Sequence, residues 1–246
     1  MSDKPQLEEQ AIAEVIKQVI LQQLDSVKRI GVAVRTNLIQ AFQGQADSVS
    51  IKGKDLTTEG IHIQELEVES DQVSIDPLNL FLGQIRLSEP VNTRTHLVLS
   101  ETDLIQAINS KYVTEKIPHF QLEVNKKFVT VELCPPFSIR LLSDNKMRFS
   151  GGAKLHESQQ VRSVSFSAVM CVRTDTQPVL LETFCCTPNQ GLTLPFTIAM
   201  MQKMEEVISQ PYFTLEGTIL RLCTLRIKDK TMSLDIEAQT QEIPSL

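Results

Sequence analysis

Apolar residues recur at helical spacing from Leu7 to Leu24. Leu7, Ala11, Ile12, Val15, Ile16, Val19, Ile20 and Leu24 fall close to the i, i+3, i+4, i+7 pattern, which predicts an amphipathic helix. Glu8, Glu9 and Glu14 lie toward its start and Lys17 further along, as the helix dipole prefers. Two readings of the apolar face stand: docking on a core, or lying on a membrane surface. The polar face is rich in Gln and Glu, which weakens the second. From Val27 the period changes to two, with Ile30, Val32 and Val34 on one side of a strand. Asn37 to Phe42 reads as a helical turn closed by Gly44.

Short strands follow: Ser48 to Lys52, Gly60 to Glu69, and Val73 to Asp76. Ile61 and Ile63 share one parity while Leu66 and Val68 share the other, which predicts a bulge near Gln64 and Glu65. Asp76-Pro77 starts a helical turn carrying Leu78, Leu80, Phe81 and Leu82, and Gly83 stops it. Ile85 to Leu87 and Val91 to Leu99 are strand-like. Ser100-Glu101-Thr102-Asp103 then forms a capping box with Asp in the acidic position, opening a helix with Leu104, Ile105, Ala107 and Ile108.

From Phe120 the pattern is strand and turn. Asn125-Lys126-Lys127 and Ser143-Asp144-Asn145 mark hairpins, Pro135-Pro136 breaks a ladder, and Gly151-Gly152 reads as a strand bend. Strands are expected over Val161–Thr174 and Val179–Phe184. A late helix runs from Pro195 to about Gln210, with Phe196, Met200, Met204, Val207 and Ile208 on one face. Phe213–Arg226 and Thr231–Ala238 close the chain as strands. The expected class is α+β: a strongly curved, mainly antiparallel sheet around amphipathic helices. Residues 1–6 read as a disordered tail and 7–246 as a single domain, whose weakest internal boundary is the polar stretch 156–160.

Composition narrows the function. The 246 residues are 41% hydrophobic and 22% charged, as in an ordinary folded protein. The net charge of −6 disfavours a nucleic-acid partner, and aromatics at 5% with no Trp leave few base-stacking platforms. The five cysteines are irregularly spaced, and the opening MSDKPQLEEQ carries no basic, apolar, small-residue signal. A cytoplasmic location with reduced thiols is expected, and no apolar run reaches the roughly 20 residues of a membrane span. Contact with a membrane would then be peripheral.

Chemistry-bearing motifs are scarce. None of His62, His96, His119 and His156 lies three or four residues from another His or a Cys, so no local metal clamp forms and no cofactor is implied. There is no GxSxG elbow, phosphate loop or dinucleotide fingerprint. Cys134 with His119 is a conceivable catalytic pair without local support. Cys185-Cys186 fit small buried apolar positions better than a redox pair. Glu65, Glu67 and Glu69 share a strand face, as solvated residues do. No catalytic residue is assigned. Basic islands at Lys28 and Arg29, Lys111 and Lys116, and Lys126 and Lys127 can hold anionic headgroups or be solvated turn residues.

The stretch VSIDPLNLFLGQIRLSEPV…LVLSETDLIQAINS resembles the LmeA-like phospholipid-binding family. The likeness rests on Asp76-Pro77-Leu78, on Phe81-Leu82-Gly83, on Leu87 to Pro90, and on Leu99 to Leu104 opening a helix that ends at Asn109-Ser110. It implies a fold similar to tubular lipid-binding domains, in which a curved sheet cradles a long helix beside an apolar groove. On that expectation Ile12, Val15, Ile16, Val19, Leu78, Phe81, Leu82, Leu104, Ile108, Phe196, Met200 and Met204 line the groove. The expected partner is a phospholipid or other acyl lipid, with contact to a membrane surface. The alternative is a protein-interaction or assembly factor of the same fold with a closed groove, its protein partner left open.

Overall fold

The computed structural model describes residues 7–76, 87–117, 119–157, 160–174, 176–188, 194–210, 212–215 and 218–240. The fold is α+β with strongly curled antiparallel sheets. It divides into two compact units. Unit one comprises Met1–Leu99, Tyr212–Thr224 and Ser233–Leu246; unit two comprises Ser100–Pro211 and Leu225–Met232.

Unit one opens with helix α1, Leu7–Gln23, and strand β1, Ser26–Arg35. A single helical turn, α2, Leu38–Phe42, leads into the short β2, Gln45–Ala46. Then come β3, Ser48–Thr58; β4, Ile61–Ser70; β5, Val73–Ser74; and β6, Val91–Ser100. Late in the chain, β12, Tyr212–Leu215, β13, Thr218–Lys228, and β14, Thr231–Thr240, join the same sheet. Its order is β1-β3-β4-β6-β14-β13-β12, while β2 and β5 pair separately.

Strand β3 runs well past Lys52, the end expected from its pattern. Its polar second half is held on both sides, Lys54 opposite Arg29 and also opposite Glu65. The bulge expected at Gln64 and Glu65 is absent, because the β3–β4 register is unbroken there. The irregular residue is its cross-strand neighbour Asp55, at φ +50°. The parity switch has another cause: residues 61–64 are all half-buried, so both faces of β4 are partly covered there.

Unit two begins with α3, Glu101–Asn109, and the short α4, Lys111–Thr114. The capping box is present as expected: Asp103 N–H donates to Ser100 Oγ at 3.1 Å, and Ser100 N–H donates to Asp103 Oδ2 at 2.9 Å. Five strands follow: β7, Phe120–Val124; β8, Lys127–Leu141; β9, Lys146–Glu157; β10, Gln160–Cys171; and β11, Leu180–Pro188. Helix α5, Leu194–Ser209, completes the unit. The sheet order is β11-β10-β9-β8-β7, and α5 packs against both edge strands, so the sheet curls around the helix.

Pro135-Pro136 does not break β8; the strand passes through with a register shift between Cys134 and Ser138. Nor is Gly151-Gly152 a bend. A Cβ on Gly151 would sit 2.5 Å from the Phe137 ring, so glycine makes room for that ring in a continuous β9. Of the polar stretch 156–160, His156 and Glu157 end β9 and Gln160 starts β10, with Glu157 opposite Gln160.

The core of unit two draws on every strand. Leu122, Val131, Leu155 and Phe166 are buried around Phe196 and Met200 of α5, with Phe184 and Cys186 of β11 packed at its margin. Asn109 locks α3 onto β8: its Nδ2 donates to Phe137 O at 2.8 Å and its Oδ1 accepts from Phe137 N–H at 2.7 Å.

Candidate functional site

The apolar stripe of α1 lies on β1, burying Ile16 and Val19. Beyond β1 the chain must turn sharply, and buried polar groups fix how it does so. Thr36 N–H donates to Glu9 Oε1 at 3.2 Å, and Thr36 Oγ1 donates to Gln45 O at 2.8 Å. Asn37 caps α2, accepting from Gln40 N–H at 3.0 Å, while Gln40 Oε1 accepts from Asn37 N–H. Gly44, at φ +72°, ends the turn in a conformation that glycine adopts without penalty. Gly44 O then accepts from Ile75 N–H at 2.7 Å, which brings the β2–β5 ribbon under α1.

Between helix and ribbon lies a pocket of about 380 Å³. Ala11, Ile12, Val15 and Ile16 of α1 form one wall. Val34 and Val49 of the sheet form the base, and Ala46, Val73 and Ile75 the opposite wall, with Ala41, Gly44 and Gln45 at the α2 end. Gln45 is the sole polar side chain in that lining and no ionisable group belongs to it. Ile16 and Val34 are buried, whereas Val15 is 42% exposed. A space of this kind admits an apolar chain and offers nothing to orient a charge.

Three expected groove residues, Ile12, Val15 and Ile16, thus face one pocket. Val19, a turn further on, is buried against the sheet. Leu78, Phe81 and Leu82 lie outside the described residues. The other five belong to unit two. Leu104 is buried and Ile108 half-buried on α3. Phe196 and Met200 are 2% and 1% exposed in the packed core, with Met204 beside them. Within unit one, Ile12, Val15 and Ile16 of α1 line an open pocket, and within unit two, Phe196 and Met200 of α5 sit in a filled core.

The basic residues expected to hold headgroups are divided between the two units. Lys28 pairs with Asp55 at 3.1 Å and Arg29 is exposed beside it on β1. The rest are in unit two: Lys111 reaches Glu115 at 3.7 Å, Lys116 lies 3.6 Å from the centre of the Tyr112 ring, and Lys126 and Lys127 occupy the β7–β8 turn.

Groups with chemical potential elsewhere are tied up structurally. Cys171 Sγ donates to Glu182 Oε1 at 3.1 Å, and this bond, reinforced by desolvation, pushes the thiol up. Burial pushes the Cys186 and Cys223 thiols up as well, so thiolate is disfavoured at all three. Glu132 is held below the usual carboxylate range, chiefly by its hydrogen bond with His156 Nε2 at 2.9 Å and further by Lys154. Among the described residues no three His, Cys, Asp or Glu side chains are grouped to hold a metal ion. Among them, too, no helix is long and apolar enough to cross a membrane.

Sequence reasoning reached α1 through its periodicity but missed the walls facing it. Val34, Val49 and the Val73/Ile75 pair come from three separate segments, and no local signal says that these meet. A family model described as LmeA-like phospholipid-binding matches residues 5–244, nearly the whole chain and far more than the stretch that first carried the resemblance. No curated protein and no solved structure matches the chain.

Proposed function

The chain belongs to the LmeA-like phospholipid-binding family, and on that premise we propose that it binds, without catalysis, a phospholipid or other acyl lipid whose chain lies beneath α1. The observation that carries this reading is the apolar pocket of about 380 Å³ walled by Ile12, Val15 and Ile16. At about 30 Å³ for a water-sized group, that space takes roughly a dozen methylenes. Burial at about 0.8 kcal/mol per methylene then supplies ample driving force for holding one chain. Its opening beside Val15 lets the polar head remain in water or at a membrane surface. Transfer of lipid between membranes is the natural use of such a site, since nothing in the pocket orients a reacting group.

Native mass spectrometry of the freshly purified protein, followed by organic extraction, tests the reading. Phospholipid near one per chain is expected, and Ala46→Phe, which fills the pocket from its wall, removes it. A clean apo mass that persists after incubation with liposomes overturns the reading.

One observation favours the second reading, an assembly factor. Helix α5 buries Phe196 and Met200 yet also exposes Leu194, Ile198 and Met201 on its other side. A partner's apolar surface would cover that stripe. Recovery of one stoichiometric protein with no lipid would favour it.

A further inference from the structure

Helix α2 holds no charged residue, yet it presents two large apolar side chains to solvent. Ile39 is 72% and Phe42 82% exposed. Three residues apart, they project from one side of a single turn, while Ala41 of the same turn lines the pocket. The turn is held at both ends, by the Asn37–Gln40 capping box and by the Ile75–Gly44 hydrogen bond. Those bonds fix the backbone from which Ile39 and Phe42 project. Leu7, 83% exposed, belongs to the first turn of α1, where Glu9 is bonded to the residue preceding the α2 cap.

We propose that α2 is a membrane wedge: Ile39 and Phe42 insert into the acyl boundary of a phospholipid bilayer and set the pocket's opening against it, so that lipid passes between the two. This deepens the lipid-binding reading above and rests on it. Charge decides the mode of docking. The acidic groups beside the turn are engaged internally, Asp47 accepting from Gln40 Nε2 at 2.9 Å and Glu9 from Thr36 N–H. Lys28 is paired with Asp55, and although Arg29 and Arg35 are exposed cations of β1, the chain carries a net charge of −6. Attraction to an anionic surface is therefore weak, and insertion of apolar side chains into a neutral bilayer is the available interaction.

The test uses the full chain with phosphatidylcholine vesicles, comparing wild type, Ile39→Ser/Phe42→Ser and, in unit two, Ile198→Ser/Met201→Ser. Co-sedimentation measures docking, and a fluorescent phospholipid in the vesicles measures uptake. A short-chain phosphatidylcholine supplied below its micelle concentration measures the pocket alone. The α2 variant is expected to lose vesicle binding by roughly tenfold or more and to take up vesicle lipid correspondingly slowly, while binding the monomeric lipid as wild type does. Raising salt from about 0.05 M to about 0.5 M is expected to change wild-type docking by less than about twofold.

Three results would overturn the proposal: an α2 variant that docks and loads like wild type, a loss confined to the Ile198/Met201 variant, or a wild-type dimer that the α2 variant converts to monomer. Failure of the lipid-binding reading is distinguishable, since no variant nor the wild type would then take up the monomeric lipid, whatever the docking result.

Discussion

Both units set an amphipathic helix on a curled antiparallel sheet, and the two pairings end differently. In unit two, α5 pushes Phe196 and Met200 into a five-stranded sheet whose residues close around them. In unit one, α1 offers Ile12, Val15 and Ile16 to Val34, Val49, Val73 and Ile75, and about 380 Å³ is left between. The difference is one of side-chain reach. An aromatic ring and an unbranched thioether fill a concave surface, whereas short branched chains facing each other do not. Enclosed and empty, a space of that size would cost on the order of 9 kcal/mol at about 24 cal/mol/Å³, comparable with the whole stability of a typical domain. Within the lipid-binding reading proposed above, an acyl chain in the pocket offsets that cost.

The comparison can be broken most forcefully in the filled unit. Phe196→Ala is expected to cost about 3–5 kcal/mol by leaving a cavity at the centre of five strands, read by denaturant unfolding. Val15→Ala, at the rim of the open pocket, is expected to cost under about 1 kcal/mol. Equal losses would mean that the two helices are packed alike.

A smaller effect is expected at Asn109. Replacing it by Ala strands the Phe137 N–H and C=O that its side chain satisfies, at about 1–3 kcal/mol. Asn37→Ala removes the α2 cap, and a loss of about 1 kcal/mol is expected. It should be accompanied by faster amide exchange at Gln40 and Ala41; unchanged exchange would show that the turn is held without its cap.

The smallest expected effect is on pH dependence. His156 holds Glu132 below the usual carboxylate range, so the folded pKa lies beneath the unfolded one. The resulting stabilisation is present above the unfolded pKa and is lost as pH falls through the folded value. Both partners are half-buried at the surface, where solvent screens the pair, so the contribution is small. In His156→Ala the loss of stability on acidification is expected to be slightly shallower than in wild type, and an identical acid limb would show that the pair contributes nothing.

Much of this fold is legible where local chemistry decides it. The period of α1, the Asn37 turn ending at Gly44, the Ser100–Asp103 box and the two hairpins of unit two all follow from neighbouring residues. What fails is decided by contacts distant in sequence. Strand β3 outruns its apolar pattern because strands on both sides hold it. Strand β8 survives Pro135-Pro136 by shifting register. Expecting one continuous strand over Phe213–Arg226 overlooks a hairpin, for β12 pairs back on β13, Phe213 opposite Leu220.

The same divide runs through the site. Helical spacing singles out Ile12, Val15 and Ile16 and equally singles out Phe196 and Met200. Periodicity marks an apolar face but not whether its partner fills it. That depends on summed volumes across strands that no local window contains.

The most direct test of which helix faces an acyl chain is photo-cross-linking. A phospholipid with a diazirine in its acyl chain is loaded onto the protein, irradiated, and the adducts are mapped by peptide mass spectrometry. Adducts on Ala11 to Ile16 and on the facing Ala46, Val49, Val73 and Ile75 are the predicted result. Adducts concentrated on Phe196 to Met204, with α1 unlabelled, would contradict the account.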